Sequence, residues 1–168
     1  MALTGSIFVC VALRTAELRP HHFVIFPQYL LREKQGTAMS QSTEQGQRLS
    51  AANAKFALDL YKLHTSPADQ NIFMSPLSIS VALAMTYLGA REQTKAQMSE
   101  VLHFTDVEEQ HLHQAFTDIL AALNKPHQSH KLYMANRLFG EKSYTFLDAF
   151  LAAGGKHYGA ELAPVDFR

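Results

Sequence analysis

The side chains in this sequence that could hold a metal or move a proton are nine histidines, one cysteine and fifteen carboxylates. Their spacing gives them little to do together. His111 and His113 lie two apart on an expected helix, which turns them to different faces. His21 and His22 fall in a stretch with no folding pattern, and Cys10 has no partner at ligand spacing. No metal site and no cofactor are therefore expected. The sequence holds no phosphate loop GxxxxGKS/T, no HExxH, no GxSxG elbow and no GxGxxG. Serine, histidine and aspartate could meet only in space, and without a nucleophile motif the chain is not expected to be an enzyme. Asn71, Ser75, Ser78 and Asn136 stand out for another reason, as polar residues in apolar surroundings. The plain reading is that each satisfies a helix cap or a neighbouring backbone group.

Most of those residues sit on one stretch, Asn71 to Ala90, which reads NIFMSPLSISVALAMTYLGA. Ile72 to Met74 has strand length and suits burial. Ser75 followed by Pro76 marks a helix start, because serine can accept from free N–H groups and proline lacks the N–H that would go unpaired. From Leu77 to Leu88 apolar residues fall on every side, so the helix is expected to be buried all round. At about 1.5 Å per residue it is too short to span a bilayer. Gly89 is placed for a left-handed cap.

The flanking elements follow from period and capping. A helix begins near Ser50 to Asn53, with Phe56, Leu60 and Leu63 on one stripe, and Ser66 to Asp69 is a turn. Thr94 to Gln97 and Thr105 to Glu108 read as capping boxes. The helix after Thr105 puts Leu112, Phe116, Ile119 and Leu123 on one face and ends near Asn124. Lys131 to Gly140 alternates with apolar residues in both sets, a strand covered on both faces for much of its length. A helix from Phe146 turns Phe150 and Leu151 inward and is weakened at its end by Gly154 and Gly155, and Glu161 to Phe167 is a short strand. Three short strands are too few to bury these helices, so the residues imply an incomplete α+β domain.

Composition sets the outer bounds. A chain of 168 residues has room for one domain with a good core. Lysine plus arginine equal aspartate plus glutamate, which gives no reason to expect nucleic acid or an anionic membrane as partner. A single cysteine allows no internal disulfide. Residues 1–48 differ from the rest and are expected to be an unstructured N-terminal extension to a domain over 49–168. Residues 2–13 form an apolar run of signal-peptide length but lack the charged lead, and Arg32 to Arg48 is polar.

Taken in order, NIFMSPLSIS, LGAREQT, ANRLFGEK and YGAELAPVDF resemble the first third of a serpin domain, closest to the ovalbumin-like, intracellular branch. The likeness runs from about Leu49 to Phe167. It implies the N-terminal part of a serpin fold, with helices packed on part of a mostly antiparallel sheet. It also implies a protease inhibitor that acts as a suicide substrate in the complete parent chain. The partner would be a serine protease, with a cysteine protease as the alternative class. The family's reactive-centre loop lies near the end of its domain and is absent from this chain. Asn71, Ser75, Pro76, Ser78 and Asn136 match the shutter, a polar cluster beneath the middle of the large sheet where strands part. Some serpins bind heparin through a basic helix, but the matching helix here, Val107 to Asn124, has no Lys or Arg, so heparin binding is not expected. The branch implies the cytoplasm, with the extracellular space as the alternative if residues 2–13 act as a signal. A small helical interaction module is the rival reading.

Overall fold

The structure is a computed structural model, and it describes residues 7–15, 41–64, 72, 74–125 and 132–167. Five helices and three strands are described. In chain order they are β1 (Ile7–Thr15), α1 (Gln41–His64), α2 (Pro76–Tyr87), α3 (Glu92–Val101), α4 (Glu109–Leu123), β2 (Leu132–Glu141), α5 (Asp148–Tyr158) and β3 (Leu162–Val165). A short 3-10 turn, Phe104–Asp106, joins α3 to α4.

The helices form one layer around α1, α2 and α4. Leu49, Ala52 and Phe56 of α1 are buried at helical spacing, and Leu112, Ala115, Phe116, Ile119 and Leu120 of α4 meet them. Four rings run through this core. Tyr87 meets Phe104 edge-on at 5.7 Å, Phe104 meets Phe116 edge-on at 5.8 Å, and Phe116 lies 5.8 Å from Tyr158. Edge-on pairs of this kind contribute about 0.5–1.5 kcal/mol each beyond the area they bury. They link α2, the 3-10 turn, α4 and α5 into one cluster.

The sheet has the order β1-β2-β3. β2 pairs antiparallel with β1, from Ile7 opposite Gly140 to Thr15 opposite Leu132. It pairs parallel with β3, from Leu138 opposite Leu162 to Glu141 opposite Val165, with α5 as the crossover that parallel pairing requires. Pro164 has no N–H to give, and its position on an edge strand is where the ladder can spare one. At Gly140 a Cβ would stand 2.6 Å from the Phe146 ring, so only glycine admits the ring over the sheet.

Several expectations are corrected. Of the stretch 1–48, expected to be unstructured, Ile7–Thr15 is strand and Gln41–Arg48 is helix, with Gln45 buried. The polar composition of Gln41–Arg48 hid a helical face that docks on the start of α4, where Gln45 Oε1 accepts the Glu108 N–H at 3.2 Å. Ile72 and Met74 are neither helix nor strand, since no described strand offers them a ladder; Phe73 lies outside the described residues. The apolar stripe of α1 stops early, with Leu60 half-buried and Leu63 exposed. α2 is not buried all round, because Ile79 faces outward.

The helix ends differ as well. Gly89 is not a left-handed cap: its N–H bonds to the Thr86 carbonyl at 3.0 Å, tightening the last turn, and among the described glycines the one at positive φ is Gly159 after α5. Thr94 lies inside α3 and Thr105 inside the 3-10 turn, so neither forms a capping box. α4 starts instead after Glu108, whose carboxylate reaches forward to Gln110 and His111. On β2, Leu138, Gly140 and Glu141 are buried, so that both faces are represented, while Arg137 is exposed.

Candidate functional site

α2 begins where the serine and proline place it. Ser75 is the N-cap residue in extended conformation, Pro76 follows at the first helical position, and the Ile79 N–H bonds to the Ser75 carbonyl at 3.2 Å. The Ser75 hydroxyl, however, is bonded to no backbone N–H. It sits 2.8 Å from the hydroxyl of Ser78, one turn on, and Ser78 is buried. Two residues further, Ser80 is fully buried and donates to Oδ1 of Asn53 at 2.5 Å, which ties α2 to α1. Small polar side chains thus let two helices approach and then fix how they meet.

Asn136 is placed elsewhere. It lies on β2 opposite Val11 and lines an open cleft of about 280 Å³ between α4, β2 and α5. Its Oδ1 is buried and meets no donor among the described residues, and so makes no bond to the serines. Asn71 lies outside the described residues. Of the residues singled out in the sequence, the structure brings Ser75, Pro76 and Ser78 together, while Asn136 makes no hydrogen bond to them. Ser80 and Asn53 escaped the sequence reading. The repeat of small polar residues at Ser78 and Ser80 inside an apolar helix was the available signal.

A second polar group joins α4 to α5. Nδ1 of His113 is 2.7 Å from the Tyr158 hydroxyl. The Thr117 hydroxyl lies 3.1 Å from Nδ1 of His157 and within hydrogen-bond reach of the carbonyls of His113 and His157. Burial, then His157 and Lys95, push the His113 imidazole down to about 4, with Glu109 opposing. Burial followed by Lys156 lowers His157 as well, and burial raises the Tyr158 phenol. His111 points away and pairs with Glu108 at 3.1 Å.

Ser75 and Ser78 are hydrogen-bonded to each other and not to a histidine or carboxylate, the pairing that activates a hydroxyl nucleophile. Among the described residues no three His, Cys, Asp or Glu side chains gather to hold a metal ion. His21 and His22 lie outside the described residues. No described helix is long and apolar enough to cross a membrane.

Comparison with known proteins gives the frame for this arrangement. The family model Serpin (serine protease inhibitor) matches residues 51–168. The leukocyte elastase inhibitor of Sus scrofa is 55% identical over 122 residues, which are 72% of this chain and 32% of that protein. Ovalbumin from emu superposes with a TM-score of 0.66 at 33% identity, covering 71% of this chain and 34% of its own. Cleaved kallistatin complexed with heparin superposes with a TM-score of 0.67 at 35% identity, covering 73% of this chain and 37% of its own. The chain spans about a third of the length of the curated relatives it matches. With a family model that covers most of the chain, and solved structures that superpose on about 70% of it, the chain belongs to the serpin family.

Proposed function

We propose that this chain is the N-terminal third of an inhibitor of an elastase-like serine protease, and that 49–168 contributes the helical side and first strands of the inhibitor's domain. The relatives named leukocyte elastase inhibitor support the target class. The mechanism would be that of a suicide substrate. The protease cuts an exposed loop, the loop inserts as a strand, and the trapped acyl-enzyme is distorted by strain released from a metastable start. Nothing in residues 49–168 corresponds to that loop, so this stretch by itself would not trap a protease. A cytoplasmic location is proposed from the branch.

The observation that carries the reading is the Ser75–Ser78 hydroxyl pair at the head of α2, with Ser78 buried. We assign Asn71, Ser75, Pro76, Ser78 and Asn136 to a shutter-like cluster. A helix head held by two interchangeable hydroxyls can exchange partners when a strand passes over it, which an apolar contact cannot. The unpaired Oδ1 of Asn136 supports a second arrangement in which that atom finds a donor. Heparin forms no part of the proposal, because α4 carries neither Lys nor Arg.

The test joins residues 1–168 to the remaining two-thirds of the Sus scrofa inhibitor. The chimera should form a complex with leukocyte elastase that survives denaturing electrophoresis and depends on the enzyme's active serine. The 168-residue chain should form none. A folded chimera that never traps the enzyme, or a complex with the short chain, would overturn the reading.

A further inference from the structure

The polar group between α4 and α5 is distinct from the serines and has its own logic. His113 and Thr117 stand one turn apart on α4, facing His157 and Tyr158 at the end of α5. The two imidazoles lie 6.0 Å apart, and the His113 ring is also packed edge-on against Tyr158 at 5.9 Å and beside Tyr87 of α2 at 6.2 Å. A neutral His113 can accept the phenol proton at Nδ1, which satisfies the otherwise buried Tyr158 hydroxyl. Once protonated, both of its ring nitrogens are donors, and the phenol loses that acceptor.

The charges around the pair favour the neutral state. Lys95 of α3 stands over the Tyr87 ring that also neighbours His113, and Lys156 of α5 adjoins His157. Glu109, one turn before His113, is the carboxylate that opposes them, and it is already paired with Lys95. An imidazolium here would confront a second histidine and two ammonium groups in a half-buried site. The Tyr158 phenol, raised by burial, adds no charge.

We propose that the α4–α5 contact is an acid-releasable latch, closed while His113 and His157 are neutral and opened by their protonation, which widens the cleft that Asn136 lines on β2. The sign follows from the imidazole that prefers to be neutral when closed. The latch is at full strength above pH 6.5, the ordinary value that His113 regains when α5 lifts, and weakens as pH falls toward 4, its value when closed. Below that pH both states carry the proton and nothing further is lost. Across most of this window the open fraction should rise by roughly 10- to 30-fold.

The experiment uses the whole 168-residue chain. Histidine NMR titration should place His113 near 4. Amide exchange, corrected for its intrinsic pH dependence, should show protection of α5 falling by about 10- to 30-fold from pH 6.5 to pH 5 while α1 holds. His113→Gln should flatten that pH dependence, and Tyr158→Phe should lower protection already at neutral pH. A His113 that titrates at its ordinary value, α5 protection that stays flat, or a pH dependence that survives His113→Gln would each refute the latch. Should the variant fail to fold, the titration and the α5 exchange profile of the unmutated chain decide together. Complex formation with elastase is read separately, so the latch and the inhibitor reading can fail independently.

Discussion

At the residue scale, position in the helix says less than the partner. Ser75 is the N-cap by location, yet its hydroxyl spends its bond on Ser78 and none on a backbone N–H. The usual cost of losing a capping side chain is therefore the wrong basis for Ser75→Ala. Ser80 offers the sharper test. It is fully buried, and its bond to Asn53 is a contact across two helices. Ser80→Ala would leave Oδ1 of Asn53 without that donor, at a cost of about 1 kcal/mol. Asn53→Ala in the same background should then cost almost nothing more, since the pair acts as a unit. Urea unfolding of the elastase-inhibitor chimera measures both. Additive losses would show that the two side chains do not share a bond. The sequence exposed the serines because an apolar helix with hydroxyls is unusual. It could not show which hydroxyl meets Asn53, because 27 residues separate the partners and only the packing of α1 on α2 joins them.

Among the elements, those fixed by local pattern were legible and those fixed by a neighbour were not. α2, α4 and β2 fall close to where periodicity and the Ser-Pro start put them. α4 begins later than its apparent capping box because Glu108 is held by Gln45, from a helix start that polar composition concealed. β1 had no readable strand signal, since its apolar run looked like part of a leader, and its pairing depends on the edge of β2. The end of β2 shows the same dependence on a neighbour. The Glu141 carboxylate accepts the N–H of Phe167 at 3.0 Å and that of Ser143 at 3.1 Å, and so pins the chain beyond β3 to the turn after β2. Those two backbone bonds, Phe167 first, hold Glu141 below the usual carboxylate range. A lowered carboxylate stabilises above its ordinary value and loses that effect as pH falls through the lowered one. Acidification from pH 6 should thus leave the Phe167 and Ser143 amides protected until below the ordinary glutamate value, then release them together. Glu141→Gln should expose both at every pH. Unchanged exchange in that variant would show that the carboxylate does not hold this corner.

For the whole molecule the decisive quantity is what the described surface leaves uncovered. Leu63 is 82% exposed, Leu147 70%, Val101 63% and Leu58 58%, and Ile79 opens a side of the most apolar helix. Single exposed apolar residues are ordinary, but these come with a three-stranded sheet whose outer strands, β1 and β3, each show one unpaired edge among the described residues. β1 carries no charge from Ile7 to Leu13, so it lacks the lysine or proline that usually guards such an edge. A domain whose solved relatives extend over about three times the matched length has the missing cover at hand. The 168-residue chain alone should therefore bind a hydrophobic dye and self-associate as its concentration rises. Starting a shorter chain at Gln41 keeps α1 intact with Gln45 in place, and it removes β1, so comparison of the two separates association through β1 from association through the helices. Co-refolding with the C-terminal two-thirds of a leukocyte elastase inhibitor should suppress dye binding and association in both. Analytical ultracentrifugation and dye fluorescence across a concentration series provide the readings. A 168-residue chain that stays monomeric, dye-silent and sharply cooperative in urea would mean that its helices close on themselves. The small helical module would then describe it better than the open third of an inhibitor.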